Sequence, residues 1–209
     1  MNKIAVDIVL LPSEKMMDKA IDLNKKLLKN YYNIPASAGT ILNKENCLPH
    51  ISLAMGVIDK NEVFNINEVL NNISQQFYLL HLKAINIYSQ RIRTNQKLSC
   101  FKIENTRQLQ LLHETIMNKL SHHFTYDVTA EMIYSSKEVE DITLGWIRNY
   151  TQKSSFKNFS PHITIGFGEI ENINLPIKFI ASKLVLCHLG NYCTCKKILL
   201  SINLKISTH

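Results

Sequence analysis

The chain has 209 residues, 45% hydrophobic and 20% charged, a balance that suits one large domain or two small lobes sharing a core. It has no low-complexity segment, and no apolar run approaches the ~20 residues of a spanning helix, which argues against a disordered or membrane-spanning protein. Lys and Arg outnumber Asp and Glu by 24 to 17, and the net charge of +7 suits a polyanionic partner, yet the lysines are scattered and arginine occurs only at positions 91, 93, 107 and 148, without the dense stripe of a dedicated DNA binder.

The first element is "KIAVDIVLLP" (Lys3 to Pro12), an apolar, β-branched strand ended by proline. Asp7 sits inside its apolar run and no small-residue cleavage site follows, so no secretory signal is expected. Ser13 is placed to cap a helix whose apolar face carries Met17, Ala20, Ile21, Leu27, Leu28 and Tyr31. A loop with Pro35 and Gly39 leads to "PHISLAMG" (Pro49 to Gly56). Asp59 and Glu62 form a capping box for a helix marked by Val63, Ile66, Leu70, Ile73 and Phe77. "HLKAINIYS" and "KLSCFKIE" predict two strands, with "QRIRTNQ" as the hairpin loop between them. Asn105 and Gln108 are expected to cap a third helix, with Leu109, Leu112, Ile116 and Leu120 inward. "YDVTAEMIY" alternates as a strand does, and Ser135 and Glu138 precede a fourth helix with Val139, Ile142, Trp146 and Tyr150. A polar loop then delivers "PHITIGFG" (Pro161 to Gly168), and strands close the chain, turning at Gly190–Asn191. Single helices separated by strands and hairpins predict an α+β fold with mostly antiparallel sheets. No glycine-rich phosphate loop follows any strand.

The two quoted octapeptides match position by position. As strands, their side chains alternate between faces. His50, Ser52 and Ala54 then share one face, as do His162, Thr164 and Gly166, while Ile51, Leu53, Met55, Ile163, Ile165 and Phe167 take the other. The small third residue on the polar face leaves room for a ligand, and Gly56 and Gly168 let the chain turn away. Residues two apart on a strand are separated by roughly 6.5 Å, so an imidazole and a hydroxyl both reach oxygens of one phosphate. Two such strands side by side bring four groups together. The hydroxyls of Ser52 and Thr164 hold the phosphate, and His50 and His162 flank the phosphorus as acid and base for in-line displacement. Such a site needs neither metal nor cofactor.

In these residues the chain resembles the two-histidine phosphoesterase superfamily, of the 2′-5′ RNA ligase-like or cyclic phosphodiesterase kind, whose mark is a pair of His-x-Ser/Thr motifs. The opening "VDIVLLP" strand, "GWIRNY" and the closing "HLGNYCTCKKIL" hairpin add to the likeness. It implies a single bilobal domain over residues 1–209, with two mostly antiparallel sheets, flanking helices, a central cleft, and one motif strand from each lobe. It implies metal-independent hydrolysis of 2′,3′-cyclic phosphates on nucleotides or RNA ends, or cleavage and joining of 2′-5′ RNA linkages, with His162 as base and His50 as acid. The alternatives are hydrolysis of 2′-5′ oligoadenylate or cyclic oligonucleotide signals, and a non-catalytic module that binds phosphate or RNA in the same cleft. RNA ends or small nucleotides are the expected partners, a monomer the expected state and the cytoplasm the expected location.

Tyr31, Tyr32, Trp146, Phe167 and Tyr192 are available to stack bases, although Trp146 and Phe167 fall at core positions. Arg91 and Arg93 lie in a loop and read as solvated. His81, His113, His122, His123, His188 and His209 lack a neighbouring hydroxyl in register and read as structural or surface. Five cysteines without a secretory signal predict free thiols, and a metal site from Cys187, His188, Cys193 and Cys195 is disfavoured by their spacing.

Overall fold

The computed structural model describes residues 2–30, 41–92, 96–134, 138–171 and 173–206. Tyr31, Tyr32, Pro35, Gly39, Arg93, Ser135 and His209 lie outside the described residues. Seven strands and five helices are arranged as β1 (Lys3–Pro12), α1 (Glu14–Asn30), β2 (Ile51–Asp59), α2 (Val63–Ser74), β3 (Leu80–Arg91), β4 (Lys97–Ile103), α3 (Arg107–Leu120), α4 (Asp141–Arg148), α5 (Tyr150–Lys153), β5 (His162–Phe167), β6 (Ile177–Leu189) and β7 (Cys195–Asn203).

Every strand pairing is antiparallel, and the order is β2-β1-β6-β3-β4-β5, with β7 also on β6. The α+β class is therefore as expected. The expected pair of sheets is present as two halves of one hydrogen-bonded network. β6 is long enough at 13 residues to serve both. Its Lys183–Leu189 stretch pairs with β7, and its Ile177–Ala181 stretch pairs with β3. Ala181 stands at the junction, paired with Pro12 of β1 on one side and Leu80 of β3 on the other.

One half, β2-β1-β6-β7, holds both terminal strands and the first motif, and the other, β6-β3-β4-β5, holds the second. The two motif strands lie at opposite ends of the order, yet they touch. The sheet curls until its ends face each other. The helices cross over to hold them there, with α1 packed on β5 and α3 packed on β2. A single apolar cluster draws on both halves, among them Ile8, Leu53, Leu70, Phe101, Leu112, Ile163 and Leu186.

Local details depart from expectation in five places. The fourth helix starts at Asp141, past Glu138 and Val139, and its buried residues are Thr143 and Ile147. Asp59 caps a short 3-10 turn, Lys60–Glu62, ahead of α2, accepting from the Asn61 amide at 2.9 Å. Thr106, not Asn105, caps α3, its hydroxyl accepting from the Leu109 amide at 3.2 Å. The "YDVTAEMIY" segment is not a strand: Thr125, just before it, makes one bridge to Val57, and the segment itself coils into a 3-10 turn, Ala130–Met132, with the Val128 carbonyl taken by the Arg148 guanidinium at 2.8 Å. Cys187 and Cys195 are not free thiols but a disulfide across β6 and β7, with Cα atoms 5.4 Å apart. Two of the four residues considered as metal ligands are thus bonded to each other, and the described residues contain no group of three or more His, Cys, Asp or Glu arranged to hold a metal ion. No described helix is long and apolar enough to cross a membrane.

Candidate active site

His50, Ser52, His162 and Thr164 all line one cavity of about 500 Å³ between the two ends of the sheet. Each is partly buried. The imidazoles are held alike. His50 Nδ1 lies 2.7 Å from the Leu48 carbonyl and His162 Nδ1 lies 2.9 Å from the Ser160 carbonyl. A carbonyl only accepts, so Nδ1 carries the proton in both rings. Nε2 is left with its lone pair, available to the cavity. Burial favours the neutral ring and lowers the pKa of both. For His50 the drop is to about 4, with the Leu48 hydrogen bond opposing it and the neighbouring His162 adding to it.

The strict alternation expected of the motif strands does not hold past the hydroxyl. Val9 pairs with Ser52 and Ile8 with Ala54, so Leu53 is an extra residue in β2. Cys100 pairs with Thr164 and Ser99 with Gly166, so Ile165 is an extra residue in β5. Both copies therefore bulge at the same place. The bulge reverses the faces beyond it. Ala54 is fully buried and Met55 lines the cavity, the opposite of the simple alternation, and Gly166 makes no room for a ligand.

Each bulge is held by a buried polar side chain from the helix that crosses onto it. The Leu53 carbonyl accepts from His113 Nδ1 of α3 at 2.7 Å, and His113 Nε2 accepts from the Phe156 amide at 2.8 Å. The Ile165 carbonyl accepts from Asn24 Nδ2 of α1 at 2.7 Å, and Asn24 Oδ1 accepts from the Leu42 amide at 3.0 Å. Gly166 takes a φ of +147° at this bulge, and a Cβ there would stand 2.6 Å from the Asn24 amide nitrogen. Gly56 is not a turn either. It lies within β2, where a Cβ would press on Phe124 and the Thr125 carbonyl at 3.2–3.3 Å.

The two hydroxyls differ in their surroundings. Thr164 Oγ1 lies 3.7 Å from Cys100 Sγ. Ser52 instead faces Asp7 of β1, a fully buried carboxyl. Among the described residues neither Asp7 oxygen has a hydrogen-bond partner of good geometry. Burial pushes its pKa up to about 8, against the opposing pull of the Ser52 hydroxyl and the Ala54 amide. Asp7 Oδ2 stands 4.0 Å from His50 Nε2.

No family model matches the chain, and neither does any curated protein. Solved structures do. Escherichia coli LigT in its apo form superposes with a TM-score of 0.56 at 14% identity, covering 98% of this chain and 99% of its own. A phosphoesterase gives 0.55 at 13% identity, over 96% and 97%. A Thermus thermophilus protein gives 0.53 at 10% identity, over 98% and 100%. The chain has the fold of LigT. At these identities the likeness is one of fold. LigT has also been solved with phosphate, 3′-AMP, ATP and NADP+.

Within this LigT-like fold the cavity walls are aromatic and hydroxylic. Tyr88, Trp146, Tyr150, Phe159 and Tyr192 line it, and Lys153 is the one Lys or Arg among its described lining residues. Trp146 packs against the core, as its helical spacing predicts, and also lines the cavity. Tyr192 is set by a 3-10 turn, Asn191–Cys193, in which it takes a left-handed backbone (φ 56°). Its amide donates to Thr143 Oγ1 of α4 at 2.8 Å, and that hydroxyl donates to Asn191 Oδ1 at 2.7 Å. Phe167 is buried off the cavity, and Arg91 is exposed and does not line it. Sequence reasoning missed Asp7, Asn24 and His113 as parts of the site's support. Each had one signal, a polar residue at an apolar position of its strand or helix.

Proposed function

We propose that the protein is a metal-independent phosphoesterase in which the four motif residues act on one phosphate. The Ser52 and Thr164 hydroxyls donate to the non-bridging oxygens. His162 Nε2 takes a proton from the attacking water, and His50 delivers one from Nε2 to the leaving oxygen. The acid and base are assigned as the resemblance implies. The reading is carried by one observation: two imidazoles in the same tautomer, each with a hydroxyl two residues on, line a single cavity.

The substrate we infer is a phosphodiester of low charge attached to a nucleoside, either a 2′,3′-cyclic phosphate on a nucleotide or RNA end, or a 2′-5′ linkage. One lysine among the described lining residues, beside several aromatic rings, suits one monoanionic phosphate and a stacked base better than a polyphosphate chain. The phosphate, 3′-AMP, ATP and NADP+ complexes of LigT support a nucleotide or phosphate ligand. Residues 1–209 are read as one domain of two lobes, each supplying a motif strand.

The test is hydrolysis of 2′,3′-cyclic AMP by the purified protein and by His50→Ala and His162→Ala. Each substitution is expected to lower kcat by roughly a hundredfold or more. Full activity in both variants rejects the assignment. Binding of a 2′-phosphate without turnover of any cyclic substrate favours the non-catalytic reading instead.

A further inference from the structure

The cleft is nearly two-fold symmetric, and such symmetry alone gives no reason for one histidine to donate and the other to accept. The symmetry breaks one strand away. In register, Asp7 of β1 stands opposite Met55, and Leu98 of β4 stands opposite Phe167. Met55 and Phe167 hold the same place in the two motifs, so Asp7 and Leu98 are counterparts. One half has a carboxyl under its histidine where the other has a leucine.

We propose that Asp7 is the positioning residue that makes His50, and not His162, the proton donor of the cleft. This rests on the two-histidine reading above. Asp7 is fully buried, neither of its oxygens has a hydrogen-bond partner of good geometry among the described residues, and Oδ2 lies 4.0 Å from His50 Nε2. Its other polar and titratable neighbours are Ser52 on β2, Tyr150 on α5 and Cys193 in the 3-10 turn. Asp7 pushes the Tyr150 and Cys193 pKa values further up, so both stay neutral. Of these neighbours only His50 is able to become its counter-ion.

In the empty cleft Asp7 is held protonated and His50 neutral, so the pair carries one mobile proton. An anionic phosphate between the imidazoles favours a cation beside it. The O–H bond of Asp7 then breaks and an N–H bond forms at His50 Nε2. The carboxyl becomes carboxylate as the imidazole becomes imidazolium, and net charge is unchanged. The proton now sits on the atom that serves the leaving oxygen. After product departs, His162 releases to solvent the proton it took from water and Asp7 regains one, which restores the starting state. His162 has no equivalent, since Leu98 cannot supply a proton.

The experiment is side-chain 15N NMR of the histidines at pH 7 in the full chain, with inorganic phosphate as probe. In the wild type, saturating phosphate converts His50 to imidazolium and leaves His162 neutral. In Asp7→Asn, and in Asp7→Leu, which copies the other half, His50 stays neutral. A His50 that becomes imidazolium on phosphate binding in wild type and in both variants alike overturns the proposal. No phosphate-induced change at either histidine overturns the two-histidine reading instead. Kinetics give a second readout. On 2′,3′-cyclic AMP, Asp7→Asn lowers kcat roughly tenfold or more with KM within about twofold, and its alkaline limb moves down by about one pH unit. On a diester that expels p-nitrophenolate, which needs no proton, the loss shrinks to within about threefold. Equal losses on both substrates with an unmoved pH profile mark a merely structural role and overturn the proposal. If His50→Ala and His162→Ala are inactive while Asp7→Asn is unimpaired, the Asp7 proposal alone fails.

Discussion

Asp7 is buried and His50 partly so, their pKa values move apart, and each leaves its own mark on stability. Asp7 ordinarily titrates at 3.8 and in the fold at about 8, so between those values folding must take up a proton. Its contribution is lost as pH rises through that window. His50 ordinarily titrates at 6.5 and in the fold at about 4, so folding must shed a proton there. Its contribution is lost as pH falls through that window, and His113, His162 and His188, also lowered by burial, act in the same direction. Below 6.5 the two effects oppose each other, and between 6.5 and 8 that of Asp7 dominates. The wild type is therefore expected to lose about 2 kcal/mol between pH 6.5 and pH 8, from the cost of about 1.4 kcal/mol per pH unit. In Asp7→Asn that slope disappears. Urea unfolding at several pH values measures both, and a flat wild-type profile across this window counts against a neutral buried Asp7. The strand "IAVDIVLL" already carried the hint, because a carboxyl in an otherwise buried run must find a partner or stay protonated. Which partner it meets was not legible, because His50 arrives from another strand.

At the scale of elements, alternation along β2 and β5 correctly put the histidine and the hydroxyl on one face and failed after them. Alternation is a local rule with a period of two. A bulge is decided by what the neighbouring strand and the crossing helix require, and Asn24 and His113 lie far along the chain from the carbonyls they hold. The apolar stripe of α1 is interrupted by Asn24 and that of α3 by His113, which marks both as buried polar groups with a definite partner without naming it. Asn24→Leu leaves the Ile165 carbonyl and the Leu42 amide without this side chain, and is expected to cost roughly 1–3 kcal/mol in urea unfolding. Gly166→Ala meets both a left-handed φ and the Asn24 amide, and is expected to cost a comparable roughly 1–3 kcal/mol. Because Thr164 lies on the same bulge, both variants should also lower kcat more than they raise KM. A wild-type kcat in either one would separate the bulge from the chemistry.

For the whole molecule, the shared strand β6 and the apolar cluster common to both halves predict one cooperative unfolding event. Trp146, the single tryptophan, packs against that cluster, so its fluorescence and the far-UV circular dichroism should change together in urea. Two separated transitions would show halves that fold apart.

The sequence by itself determined the α+β class, the core faces of the main helices, and the four groups that meet at the cleft. Those follow from local periods and from a motif repeated in register, and both are written in short stretches of chain. Only the tertiary structure decided that the sheets join through β6, that Cys187 bonds Cys195, that both motifs bulge, and that Asp7 underlies one histidine and Leu98 the opposite end. Each of these is a contact between residues brought together by the fold, and contacts of that kind have no period to read.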